Sequence, residues 1–254
     1  MNPRHRLCCG GITFVMLLFQ ACSVQSTSTV TSQNPRVVAD PPRRILFIGN
    51  SLTYSNDGIY AHLQKMMASG QPPVTIEADK AVMGGQYFKT LWEQFPEPRR
   101  AIARGYDVVV LQEDLPETKV EDFRKYTPLF VEEVRKTGAR PILLMAWAYK
   151  RLGWISMAEI AQVHREVGKD LGVDVAPVGV AWEQVMKERP DINLFAPDLE
   201  HPSIHGTYLE TLVVYATVFR RSPADLPYLP SGITPDAGAF LRRIAWETVE
   251  TWPK

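Results

Sequence analysis

The stretch Arg44-Ile45-Leu46-Phe47-Ile48-Gly49-Asn50-Ser51-Leu52-Thr53 decides the fold. Four large apolar residues follow one another without polar alternation, as in a strand covered on both faces within a parallel sheet. Gly49 ends the run, and a helical pattern follows. A serine at such a strand-to-helix turn exposes its hydroxyl beside free backbone N–H groups, which favour developing negative charge.

Four further short runs read as strands: 74–78 (VTIEA), 107–112 (DVVVLQ), 141–146 (PILLMA) and 173–178 (VDVAPV). Helical patterns lie between and after them at 57–68, 120–136, 157–171, 182–187 and 204–219. Pro128 is expected to start or kink a helix within its stretch. Thr234-Pro235-Asp236 opens a last helix that runs through Trp246 towards Glu250, with a polar cap and an acid at the positive end. Alternating strands and helices predict an α/β fold with a parallel sheet between helices. In such sheets ligands bind beyond the carboxyl ends of the strands.

The residues that carry chemistry fall after those strands. Strand one leads to Ser51. After strand two comes Met83-Gly84-Gly85-Gln86, where glycine lets backbone N–H approach a ligand closely. Strand three ends in Leu111-Gln112-Glu113 and offers an amide donor. Near the carboxyl end stands Asp198-Leu199-Glu200-His201-Pro202-Ser203. An Asp three residues before a His can hold Nδ1–H and leave Nε2 to take a serine proton.

In order, these four pieces resemble the four blocks of the SGNH hydrolase superfamily, the GDSL-type esterases and lipases. Gly49-Asn50-Ser51 stands for that family's G-D-S, Gly85 or Gly84 for its second-block glycine, Gln112 for its third-block Asn, and Asp198 with His201 for its D-x-x-H. The run His201-Pro202-Ser203, then Gly206 and Tyr208-Leu209, looks like the ending of a bacterial branch. The resemblance implies a flavodoxin-like three-layer α/β/α sandwich with strand order 2-1-3-4-5. It also implies Ser51 as nucleophile, His201 as base and Asp198 as orienter. The oxyanion would be held by Ser51, Gly85 and Gln112, with no cofactor. Gln112 is one methylene longer than Asn, and loss of one oxyanion donor costs about 3 kcal/mol. Asn50, Gly84 and Trp147 are further candidates for the substrate site; Tyr149 and Trp154 follow strand four with Trp147 and could wall it or pack under loops.

Two other readings compete. Asp198, His201 and His205 could form a metal cluster of a hydrolase, although Pro202 opposes one helix displaying both imidazoles. A surface-anchored glycan-binding protein could keep the scaffold without turnover. His62 and His164 fall in predicted helices and read as packing or solvated residues, and 223–235 reads as a proline-rich connector. There is no G-x-S-x-G, G-x-G-x-x-G, P-loop or C-x-x-C.

The 254 residues suit one large domain, and 45% hydrophobic with 22% charged residues is an ordinary globular composition. Lys plus Arg number 28 and Asp plus Glu 28, so nothing favours nucleic acid as a partner. Arg4 and Arg6 precede an apolar stretch at 7–19, too short to span a membrane. Phe19-Gln20-Ala21-Cys22-Ser23 then resembles the lipobox of bacterial lipoproteins, in which the Cys is lipidated; an ordinary cleaved signal peptide is the alternative. Cys8, Cys9 and Cys22 are the three cysteines, so the domain would hold no disulfide and no thiol nucleophile. Residues 23–42, rich in Ser, Thr and Pro, read as a tether, and the domain is expected at 43–254. The expectation is an exported, membrane-anchored serine esterase of the cell envelope. With no long lid insertion, its expected substrates are small esters or acylated carbohydrates.

Overall fold

The computed structural model describes Gly11 and residues 41–253. The signal-peptide and lipidation readings, Cys22 included, and nearly all of the tether lie outside the described residues. Strand β1 (Arg44–Gly49) forms where expected, and Ile45, Leu46, Phe47 and Ile48 are fully buried. Burying each such side chain is worth about 1.5–3 kcal/mol. The two faces of the strand feed two cores. Ile45 and Phe47 pack with Val108, Val110, Ile142 and Leu144 on one side, whereas Leu46 and Ile48 pack with Val109, Leu111, Leu143 and Met145 on the other. This is the period-two consequence of a pleated strand.

Around β1 stand β2 (Glu77–Val82), β3 (Val108–Glu113), β4 (Arg140–Met145) and β5 (Asp174–Ala176), all parallel, in the order 2-1-3-4-5. Helix α1 (Ser51–Tyr54) is a single turn after β1. Helices α2 (Ile59–Ser69), α7 (Val178–Glu188), α8 (Ile204–Phe219) and α9 (Pro235–Thr251) cover one face of the sheet. Helices α3 (Phe88–Gln94), α4 (Glu97–Ile102), α5 (Val120–Lys136) and α6 (Met157–Leu171) cover the other. The result is the flavodoxin-like three-layer sandwich. Because β1 lies between β2 and β3, the switch point opens beyond the carboxyl ends of β1 and β3. No described helix is long and apolar enough to cross a membrane.

Several boundaries differ from the sequence expectation. The second strand runs from Glu77, not 74–78, and none of its residues is fully buried. It is an edge strand paired only with β1, so it needs no continuous apolar run. Buried Ile76 lies just ahead of it. Helix α7 starts at Val178, four residues before 182, and leaves β5 only three residues. Gly179 permits this early start, because a Cβ there would stand 2.4 Å from the Ala146 carbonyl oxygen. Helix α5 continues through Pro128. Proline's missing N–H frees the carbonyl of Arg124, an exposed residue whose C=O water can serve. Helices α3 and α4 span only seven and six residues and were not expected.

Candidate active site

Ser51 is the first residue of α1. Asn50 caps that turn in extended conformation, its Oδ1 accepting the Leu52 N–H at 3.1 Å. Gly49 is required by what lies beneath: a Cβ there would stand 2.4 Å from Gln112 Oε1 and 2.6 Å from Thr53 Oγ1. Gln112, 2% exposed, uses that Oε1 to accept the Asn50 N–H at 2.8 Å and the Thr53 hydroxyl at 3.1 Å. Its side chain thus locks the turn that presents Ser51. The remaining Gln112 Nε2 is closed off from solvent and has no acceptor among the described residues.

Asn50 is 1% exposed, and its amide is used internally: Nδ2 donates to Asp114 Oδ2 at 2.9 Å and to the Gln86 carbonyl at 3.3 Å. This corrects its reading as a substrate contact. Asn50 instead ties the Ser51 turn to the end of β3 and to the glycine turn after β2.

That glycine turn lies beside Ser51 by register. Gly49 pairs with Val82, and Met83 N–H donates to the Gly49 carbonyl at 3.0 Å. The two glycines have different reasons. A Cβ on Gly84 would meet the Tyr54 hydroxyl at 2.5 Å, whereas Gly85 has open space but a φ of +65°. The N–H groups of Ser51 and Gly85 have no acceptor among the described residues.

The partners of Ser51 arrive from the other end of the chain. His201 Nε2 lies 2.8 Å from Ser51 Oγ, and His201 Nδ1 lies 2.7 Å from Asp198 Oδ2. Nδ1–H donates to the carboxylate, so Nε2 accepts the serine O–H. Asp198 Oδ1 accepts the N–H groups of Glu200 at 3.1 Å and His201 at 3.0 Å, a turn that fixes the carboxylate. Desolvation pushes Asp198 up, but the hydrogen bonds from the His201 ring and these two N–H groups outweigh it, and its pKa lies below the ordinary value.

The loop after β4 supports the segment that carries His201. Trp147 is fully buried, stacked on Trp182 at 3.8 Å, and its Nε1–H donates to the Glu200 carbonyl at 2.9 Å. It therefore does not line a substrate site; it anchors the segment that carries His201. Lys150 N–H donates to the Leu199 carbonyl at 3.0 Å, and Arg151 forms ion pairs with both Glu117 and Glu200. Tyr149 is buried, and its hydroxyl donates to Asp114 Oδ1 at 2.5 Å. Trp154, by contrast, is 56% exposed.

Two acids at the end of β3 were missed as site residues. Asp114 joins Asn50 to Tyr149, and burial raises its pKa although both partners' hydrogen bonds oppose the shift. Burial pushes Glu113 up to about 8, although the Phe88 N–H donates to its carboxyl at 2.6 Å. Adjacent acids after an apolar strand were the available signal, but sequence could not show that both are buried.

Asp198, His201 and His205 are not gathered as the metal reading expects. Among the described residues no group of three His, Cys, Asp or Glu side chains is gathered to hold an ion, and both His201 nitrogens are engaged by Asp198 and Ser51. His205 contributes to no such group. His164 is fully buried against Phe123, and burial lowers its pKa to about 4, as a packing histidine requires. A cavity of about 810 Å³ is lined by the carboxyl-terminal ends of α6, α8 and α9, among them Trp246 and Trp252. It contains none of the residues above, and α8 separates it from His201 by about 20 Å. The Ser51–His201–Asp198 cluster lies elsewhere, beyond the carboxyl end of β1 at the switch point.

No family model and no curated protein matches the chain. Solved structures do. A DUF4886 family protein from Bacteroides uniformis superposes with a TM-score of 0.70 at 16% identity, covering 82% of this chain and 95% of its own. A candidate SGNH hydrolase from Slackia heliotrinireducens has a TM-score of 0.58 at 25% identity, covering 69% of this chain and 98% of its own. A catalytic mutant of Axe2, an acetylxylan esterase from Geobacillus stearothermophilus, has a TM-score of 0.57 at 17% identity, covering 69% and 94%. With its strand order and its ordered blocks, the chain has the fold of the SGNH hydrolases.

Proposed function

We propose that this protein hydrolyses carboxylic esters through an acyl-enzyme on Ser51. The supporting observation is the unbroken relay from Ser51 Oγ through His201 to Asp198, two hydrogen bonds of 2.8 and 2.7 Å made by side chains 150 residues apart. His201 Nε2 takes the Ser51 proton as Oγ attacks the carbonyl, while Asp198 stabilises the imidazolium. The Ser51 and Gly85 N–H groups receive the developing oxyanion. Gln112 serves them from below by holding the Asn50 N–H. Its Nε2, which has no acceptor among the described residues, is the proposed third donor; a buried N–H left without an acceptor costs about 1–3 kcal/mol. His201 then protonates the leaving alcohol, and water repeats the sequence to release the acid.

The proposed substrates are short acyl esters, acetyl groups on a carbohydrate above all, in line with the lack of a long lid insertion among the described residues and with the acetylxylan esterase among the neighbours. We also propose export and an anchor at Cys22, from the leader-like sequence alone. Ser51→Ala should stay folded and lose turnover of p-nitrophenyl acetate. Fluorophosphonate labelling mapped to Ser51, and acetate release from an acetylated glycan exceeding release from long-chain esters, would extend the reading. Turnover retained in Ser51→Ala would remove Ser51 from its role.

A further inference from the structure

The two halves of the relay come from chain segments that share few ties. Among the described residues, the hydrogen bonds joining 51–58 to 198–207 are the reacting Ser51–His201 pair and two made by one side chain, Asn56. Its Nδ2 donates to the Pro202 carbonyl at 2.9 Å and to Thr207 Oγ1 at 2.9 Å. Pro202 is the residue after the base, and Thr207 lies in the first turns of α8.

The backbone shows that this contact is imposed. Asn56, Asp57 and Gly58 hold φ values of 52°, 72° and 81°, three successive left-handed residues of which two are not glycine. Each non-glycine residue there costs on the order of 1 kcal/mol and persists only where neighbours over-determine it. A buttress behind the turn does so. His62 Nε2–H donates to the Asn56 carbonyl at 2.7 Å, so the neutral ring accepts the Tyr228 hydroxyl at Nδ1, also at 2.7 Å. Burial lowers the His62 pKa, which keeps that ring neutral. Tyr228 belongs to the proline-rich segment that the sequence offered only as a connector. His62 is thus 3% exposed but not a passive packing residue.

We infer that Asn56 is a positioning residue that clamps the base-bearing loop to the nucleophile turn and sets the Ser51–His201 distance, with His62 and Tyr228 holding Asn56 in place. The inference rests on the esterase reading for its kinetic consequence, but its geometric claim does not. Displacing reacting groups by about 1 Å can cost about a hundredfold in rate. Asn56 itself is exposed and adds nothing to either core, so substituting it leaves the hydrophobic packing intact.

Asn56→Gly is the discriminating variant, because glycine adopts the left-handed conformation without strain and removes only the amide. The expected result is an unchanged melting temperature, a kcat for p-nitrophenyl acetate about tenfold to a hundredfold lower at unchanged KM, and fluorophosphonate labelling of Ser51 slowed in parallel. A second readout needs no turnover: the His201 Nε2 resonance in ¹⁵N NMR should move towards its position in Ser51→Ala, where the hydrogen bond is removed. A folded Asn56→Gly protein with wild-type kcat, labelling and resonance overturns the inference. A wild-type protein without turnover in which Asn56→Gly still moves the resonance upholds the clamp and defeats the esterase reading. No turnover and no movement defeats both.

Discussion

Replacing Glu113 by Gln should flatten the dependence of stability on pH between about 4.5 and 8. The Glu113 carboxyl is 2% exposed, and burial raises its pKa from 4.5 to about 8 in the folded protein. Below 4.5 the folded and unfolded chains both hold the proton, and nothing is lost. Above it the unfolded chain ionises while the folded one does not, so each further pH unit favours unfolding by about 1.4 kcal/mol. The loss stops when the folded group itself ionises near 8. Across that interval of some 3.5 units the wild type loses about 5 kcal/mol through this one side chain. Glutamine is nearly isosteric, keeps an oxygen for the Phe88 N–H, and does not titrate. Urea unfolding of both proteins at pH 4.5, 6, 7 and 8 measures the effect as a difference, in which the contribution of Asp114 largely cancels. The gap should widen steadily in favour of Glu113→Gln as pH rises. Parallel stability curves would refute the reasoning, because the carboxyl would then titrate alike in both states. The consequence reaches the site, since Phe88 begins α3 three residues after Gly85.

Two other substitutions probe the supports of the site. Trp147→Phe removes the Nε1–H that holds the Glu200 carbonyl while keeping an aromatic ring on Trp182; we expect a stability loss of about 2 kcal/mol and a several-fold lower kcat at constant KM, read by urea unfolding and steady-state kinetics. A change in KM alone would mean that Trp147 touches substrate after all. Glu210 lies fully buried in α8 with both carboxyl oxygens unpartnered among the described residues, and burial drives its pKa well above the ordinary value. Glu210→Met should raise stability at pH 7 by about 1–3 kcal/mol and remove a further loss on the alkaline side. A destabilised Met variant would show that the acid has a partner in solution.

Much of this protein is legible in order along its chain. The continuous apolar runs of β1, β3 and β4 announce a sheet covered on both faces, because only such strands lack polar alternation. Ser51, Asp198 and His201 are legible because the turn after β1 and the D-x-x-H spacing are local features, set by neighbouring residues. Helices α5, α6 and α8 fall on their expected bounds for the same reason: their periodicity is long and local.

What the chain could not announce is everything that depends on burial or on meeting across distance. The edge strand β2 has no apolar signature because one side of it faces no partner. Trp147 and Asn50 read as substrate contacts until packing placed them inside, and nothing in the sequence marked Asp114 and Glu113 as the buried acids whose pKa values the loss of solvent raises. Asn56 belongs to no motif spacing at all, and the Ser51–His201 contact was expected only through the family resemblance, not from local spacing. Local preference follows from neighbouring residues, whereas dielectric environment and long-range hydrogen bonds exist only once distant segments share a volume, and here that volume is the crevice beyond β1 and β3.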